Sequence, residues 1–358
     1  MTLFIPYYLI ITLFLFILGY RFSRHSTGII NLSILLLLLI FFLSVGYRDF
    51  NFKGDTSTYL WMYESLTNNR YNGERIEKGF IFLLKLLSFL NFSQRDLLLF
   101  IAILQSLLWF WLIKLTFKNY QAVLIITLLI ISSFFVYNMG GNLLRQGIAV
   151  PLALISLELL TRKKILLAFT MMLLALFFHV TSLVYVISFL FISFIKLKLR
   201  YYLIFLFMLS IASLSGLIDI ISLHLPALVP SYQHIFTNSA FELYKVGFRL
   251  DFWLFTMIPI FLYFCLKGDA KIKYEKTIKI YIFLFYIFIV LFSFPYSDRF
   301  GLYLWSYMLI ILTKFYLNYR FNMGNSFTFY IILIACYGSV SYALHSLMNF
   351  GYDLGFIL

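Results

Sequence analysis

The arginine at position 145 is the first side chain in this sequence that invites a chemical reading. It stands in Asn142-Leu143-Leu144-Arg145-Gln146-Gly147-Ile148-Ala149-Val150-Pro151, about one turn inside an otherwise apolar helical run. A charge in such surroundings costs a few kcal/mol unless it is paired or snorkels out to water. Snorkelling is the plain account of Arg145; anion binding is the sharper one, because a guanidinium fork matches phosphate oxygens. Pro151 removes the hydrogen bond to the Gly147 carbonyl, so a bend is expected below Arg145. Two more arginines flank apolar runs: Arg48 in Gly46-Tyr47-Arg48-Asp49 and Arg299 in Pro295-Tyr296-Ser297-Asp298-Arg299. On a shared face, Arg48, Arg145 and Arg299 could surround a diphosphate without a metal. The sequence has no clustered carboxylate or histidine set of the kind that binds metal, so neither a metal nor a cofactor is expected.

Proton transfer has fewer candidates. His179, in Phe177-Phe178-His179-Val180-Thr181-Ser182, stands alone between two apolar half-helices. A lone histidine is ordinarily a satisfied structural residue, but a turn at membrane depth would let a near-neutral imidazole accept a proton from a hydroxyl. Glu77 follows Glu74-Arg75-Ile76 and precedes Lys78-Gly79. Mixed charge of this kind in a loop is by default a solvated surface. Asp55 precedes a helical pattern through Leu66 and fits a helix cap as well as it fits catalysis.

What must position these groups is a set of apolar helices. The 358 residues are 63% hydrophobic and 12% charged, and apolar stretches of about 17 to 22 residues recur along the chain. The formal net charge of +14 would raise the question of nucleic acid in a soluble protein. Here 17 of the 28 Lys and Arg fall into six short clusters between apolar runs, at 21–24, 114–118, 162–164, 196–200, 267–279 and 314–320. That arrangement orients a membrane protein and excludes a nucleic-acid partner. Cys265 and Cys336 lie inside apolar runs and read as packing residues.

With the six clusters in the cytoplasm, the chain must cross out and back between each pair. Spans are expected near 3–20, 29–46, 97–113, 121–137, 142–160, 165–178, 180–195, 201–222, 250–266, 280–294, 300–313 and 327–347. The expected fold is therefore an all-α polytopic bundle of about twelve transmembrane segments, a single transmembrane domain over 1–358, with the first run retained as a span. Two outer-face loops stand out, a first large periplasmic loop at 47–96 with interfacial helices and a second at 223–249. The run 79–92 is short and carries Lys85, which suits an interfacial or re-entrant helix. Between 165 and 195 about 31 residues must go out and return, so each half rises only about 22 Å against a hydrocarbon core of about 30 Å. The apex near His179 is expected below the outer surface, in a protein-lined pocket.

Taken in order, Gly46-Tyr47-Arg48-Asp49 with Asp55 and Tyr59, Glu77-Lys78-Gly79-Phe80, Arg145-Gln146 with Ala149, His179 with Ser182, and Asp298-Arg299 before Tyr303 make up a recognisable set. The set resembles the EpsG-like branch of the Wzy-type polymerases of O-antigen, capsule or exopolysaccharide. The resemblance implies a GT-C-like glycosyltransferase in the bacterial inner membrane, with its active site facing the periplasm and no cofactor. Donor and acceptor would both be undecaprenyl-diphosphate-linked oligosaccharides among the membrane lipids, with a chain-length regulator as a further partner to expect. Carried onto this chain, Arg48, Arg145 and Arg299 would hold the diphosphate, and His179, Glu77 or Asp55 would act in catalysis. Tyr47, Tyr59, Gln146, Ser182, Tyr296 and Asp298 would line the substrate. The sequence departs from some polymerases in that its second outer loop offers only Lys245 and Arg249.

Two rival readings share these features. A lipid-linked oligosaccharide flippase or transporter also needs many spans, but it should place polar groups toward both faces. A ligase would use the same lipid carrier and a different acceptor.

Overall fold

A computed structural model describes residues 27–48, 54–68, 70, 76–222, 247–294, 297–319, 337, 338 and 340. All regular structure among them is helical. The run at 3–20, all of 327–347 but 337, 338 and 340, the second outer loop up to 246, and Tyr296 lie outside the described residues. The chain divides into two compact units, 1–183 with 323–358, and 184–322.

The first unit holds α1 (Thr27–Gly46), α2 (Asp55–Thr67), α3 (Lys78–Phe89), α4 (Gln94–Thr116), α5 (Tyr120–Ile131), α6 (Phe134–Gly141), α7 (Leu144–Thr161) and α8 (Ile165–Phe178), followed by a 3-10 turn at Val180–Ser182. Helix α4 starts at a complete capping box: Ser93 Oγ accepts from the Asp96 N–H at 3.2 Å, and Asp96 Oδ2 accepts from the Ser93 N–H at 2.9 Å. Asn119 caps α5, accepting from the Gln121 N–H at 2.9 Å and the Ala122 N–H at 3.4 Å. These polar caps satisfy amide groups that an apolar medium would leave unpaired.

Helix α7 is the buried centre of this unit, packed between α4 and α8. It continues through Pro151 as one helix. Glycines let its neighbours come close. A Cβ on Gly147 would lie 2.7 Å from the Met139 carbonyl oxygen and 2.2 Å from Gln105 Nε2, so only glycine lets the start of α7 seat against α6 and α4.

The second unit holds α9 (Leu183–Phe194), α10 (Leu199–Leu214), α11 (Leu217–Ser222), α12 (Leu250–Cys265), α13 (Asp269–Val290) with a 3-10 turn at Leu291–Ser293, and α14 (Asp298–Tyr319). Its core is aromatic: Trp305 meets Phe252 at 4.9 Å and Phe288 at 5.3 Å between ring centroids. Two of its buried polar groups converge on Thr256, Tyr281 Oη donating to the Thr256 carbonyl at 2.7 Å and Trp305 Nε1 to Thr256 Oγ1 at 3.0 Å.

This is the helical fold of an integral membrane protein. Among the described residues, four helices are long and apolar enough to cross a bilayer: α4, α7, α13 with its terminal turn, and α14. The expected straight span 121–137 is instead broken at Ser132 and Ser133 into α5 and α6, bent by 66°. Both serines return their hydroxyls to the preceding turn, Ser132 to Leu128 at 2.8 Å and Ser133 to Leu129 at 2.5 Å, which competes with continuation of the helix. The pair counts as a fifth span if taken together. Apolar helices such as α8, α10 and α12, of 14 to 16 residues, rise only about 21 to 24 Å, short of a core of about 30 Å.

Candidate functional site

Arg145 occupies the first turn of α7, and three elements close around it. Its Nε donates to Tyr59 Oη of α2 at 3.0 Å, and its guanidinium carbon stands 5.5 Å from the centre of the Tyr59 ring. Its Nη1 donates to Glu77 Oε2, in a tight ion pair with side chains 17% and 20% exposed. The charge thus resolves its membrane cost by pairing, and the outward snorkel that the sequence allows is not needed. Tyr59 is buried and held edge-on by Phe80 of α3, with centroids 5.0 Å apart.

Glu77 is the residue before α3, and what fixes it is the contact of α3 with α8. A Cβ on Gly79 would lie 2.4 Å from the Phe177 carbonyl oxygen, so the first turn of α3 touches the last turn of α8 directly. That approach brings Glu77 to His179. Oε1 of Glu77 is 3.9 Å from His179 Nδ1, while Oε2 serves Arg145. Burial alone would push the Glu77 carboxyl up, but the Arg145 charge, the neighbouring His179 ring and the hydrogen bonds at the site outweigh it and hold the group below the ordinary carboxylate value. Glu77 is therefore an anion at neutral pH.

The break expected near His179 lies at that residue, which ends α8 in an extended conformation, φ −161° and ψ 120°, and caps the 3-10 turn. Nδ1 accepts from the Thr181 N–H at 3.3 Å, and Thr181 Oγ1 lies 2.7 Å from the same nitrogen. Ser182 is buried in the turn, and Gln146 is buried one residue after Arg145.

Other residues singled out in the sequence lie elsewhere. Arg48 is 3% exposed, its Nη1 donating to the Val45 carbonyl at 2.9 Å and its Nη2 to Thr56 Oγ1 at 2.7 Å. Thr56 passes the connection on to the Gly141 carbonyl at 2.7 Å, so this arginine ties the end of α1 to α2 and α6. Asp55 is the first residue of α2, and Gly54, at φ 127°, holds the cap position before it. Asp55 lies one turn before Tyr59 on the same helix face. Tyr47 is exposed, with the guanidinium of Arg95 4.7 Å from its ring centre. Asp298 and Arg299 open α14 in the second unit, both half-buried, and there Arg249 forms a two-pronged ion pair with Asp251 at 2.9 and 2.6 Å.

Three residues with clear roles in these networks carry no obvious sequence signal. Arg95 donates to the Arg48 carbonyl at 2.6 Å, Thr56 links Arg48 to α6, and Thr181 orients His179. Only Thr181, two residues after the histidine, could have been found by inspecting neighbours.

Comparison with curated proteins and with solved structures finds no match. The model of the EpsG family matches residues 31–352, which contain every described residue of the Arg145 cluster, and the chain belongs to the EpsG family.

Proposed function

We propose that this chain is a Wzy-type polysaccharide polymerase, a glycosyltransferase that joins polyprenyl-diphosphate-linked oligosaccharide units at the periplasmic face of the bacterial inner membrane. The observation that supports it most is the cluster of Arg145, Tyr59, Glu77 and His179, a paired cation, an anion and an imidazole drawn from four elements of one unit. Family membership and the apolar helices supply the setting. The six basic clusters support a cytoplasmic setting for the loops that carry them, and on this reading the Arg145 cluster lies near the opposite leaflet of a chain of about twelve crossings.

The reaction this reading requires is substitution at an anomeric carbon. A hydroxyl of the acceptor sugar attacks, the bond to the lipid diphosphate breaks, and the electron pair leaves with the diphosphate. Diphosphate is a good leaving group, so alignment of the reactants and stabilisation of its charge carry most of the rate. Arg145 is assigned to the diphosphate, sharing its guanidinium with Glu77. Arg48, tied to α1 and through Thr56 to α6, is a second cation of the same unit, and Arg299 is the proposed phosphate contact of the second unit. Tyr47 and Tyr59 offer rings to sugars; Asp55, Gln146, Ser182 and Asp298 offer polar contacts.

The test is deletion of the gene followed by sizing of the surface glycan. Loss of a polymerase leaves single repeat units on the final anchor, and complementation with Arg145→Ala, inserted at normal abundance, should not restore long chains. An anchor bearing no glycan would point to a flippase or ligase, and unchanged chain length would reject the proposal.

A further inference from the structure

The hydrogen bonds around His179 determine which ring nitrogen carries its proton, and their consequence for mechanism rests on the polymerase reading. The backbone N–H of Thr181 is directed at Nδ1 from 3.3 Å. A peptide N–H can only donate, so Nδ1 presents its lone pair. The Thr181 hydroxyl, 2.7 Å from the same nitrogen, is then also a donor. A neutral imidazole has a single N–H, which must sit on Nε2. The opposite tautomer would turn a proton on Nδ1 toward the Thr181 N–H. That proton could be taken by Thr181 Oγ1, since a hydroxyl accepts as well as donates, and Glu77 Oε1 at 3.9 Å is beyond hydrogen-bond length, so it is the Thr181 N–H that separates the two tautomers.

We propose that Thr181 holds His179 in the Nε2–H tautomer, so that the imidazole donates a hydrogen bond to a diphosphate oxygen of the lipid carrier instead of removing a proton from the acceptor sugar. Thr181 is a positioning residue; it acts through the ring. The proton of the attacking hydroxyl then goes to Glu77, whose carboxylate can only accept. As the new carbon–oxygen bond forms and the bond to the diphosphate breaks, the departing electron pair settles on oxygens that face Nε2–H and the Arg145 guanidinium. The sequence alone leaves His179, Glu77 and Asp55 as equal candidates for the base; the direction of one backbone N–H separates the first two.

Nitrogen NMR of the full-length protein, labelled with 15N-histidine in lipid nanodiscs, tests the tautomer. The chain has only five histidines, and the signal absent from His179→Gln identifies the one of interest. Its Nδ1 should show the shift of an unprotonated nitrogen, and Thr181→Val, which keeps the backbone N–H and removes a hydroxyl able to accept from a protonated Nδ1, should leave it unprotonated. A proton on Nδ1 in the native protein overturns the proposal. Polymer synthesis by the same variants tests the role. His179→Gln keeps an N–H near the Nε2 position and has no basic nitrogen, so it should retain about a tenth of native synthesis, whereas His179→Ala should lose about 10²- to 10³-fold. Equal loss in both would mean that the ring acts as a base and would overturn the donor role. The spectrum needs no polymerase activity, so failure of the polymerase reading and failure of the tautomer assignment are separately visible.

Discussion

Removing Glu77 should harm this protein because of what it leaves behind. In Glu77→Gln the carboxylate becomes a neutral amide, and the Arg145 guanidinium, only 17% exposed, keeps its charge without a counter-charge. Breaking a fully buried pair from one side costs about 3–5 kcal/mol. Both side chains keep some contact with solvent, and Tyr59 Oη still accepts from Nε at 3.0 Å. The cost expected here is therefore roughly half, about 1.5–3 kcal/mol. Arg145→Met alone should also destabilise, by stranding Glu77. The double variant Glu77→Gln/Arg145→Met strands neither, so its loss should be smaller than the sum of the two, with a coupling of about 2 kcal/mol. For a unit of this size that corresponds to about 3–10 °C between the observed and the additive midpoint of thermal unfolding, measured in one detergent at one heating rate. Losses that add to within about 0.5 kcal/mol would show that the two charges do not depend on each other, and the construction of the site around their pairing would be wrong.

Two further outcomes follow from the same geometry. Gly79→Ala places a methyl 2.4 Å from the Phe177 carbonyl, a backbone atom that cannot swing away, so α3 must withdraw from α8. We expect a loss of about 1–3 kcal/mol in stability and a larger fractional loss of polymer, because Glu77 and His179 separate; glycan of normal length with Gly79→Ala would contradict this. Acid should weaken the first unit through Glu77. Its folded pKa is depressed, so its stabilising contribution is fully present above the unfolded value of about 4.5 and is lost as pH falls through the folded value. Thermal midpoints measured from pH 7 downward should fall more steeply in the native protein than in Glu77→Gln, and parallel curves would refute the assignment.

Much of the architecture was legible because apolar runs and basic clusters obey a solvent rule that needs no tertiary information. Every expected span that lies within the described residues falls mainly on helix, although 121–137 and 201–222 each fall on two. The break at His179 was legible for a related reason: 31 residues cannot go out and return across a bilayer without a shallow turn. The break at Ser132–Ser133 was not, since two hydroxyls in an apolar run are equally compatible with an unbroken helix, and only the geometry of the bend shows that they are used to end one. Among the described residues fewer helices are long enough to cross than hydropathy alone marks, because hydropathy counts apolar residues, whereas crossing depends on uninterrupted helical rise.

At the site the division is sharper. Residue chemistry alone marked Arg145 as a charge that must be paired or brought to water, and marked Glu77 and His179 as groups able to exchange protons. It could not choose between snorkelling and pairing, because the partner lies 68 residues away in the chain and is delivered by packing at Gly79 and Gly147, where the absence of a side chain lets helices touch. Nor could it separate Arg48 from Arg145. Both guanidiniums sit at the ends of apolar runs, yet one is spent on the Val45 carbonyl and Thr56, and the other faces a carboxylate. One-dimensional pattern determines which groups are costly in a membrane; only three-dimensional contact decides what offsets the cost, since ion pairs and hydrogen bonds act over a few ångströms and sequence distance carries no information at that scale.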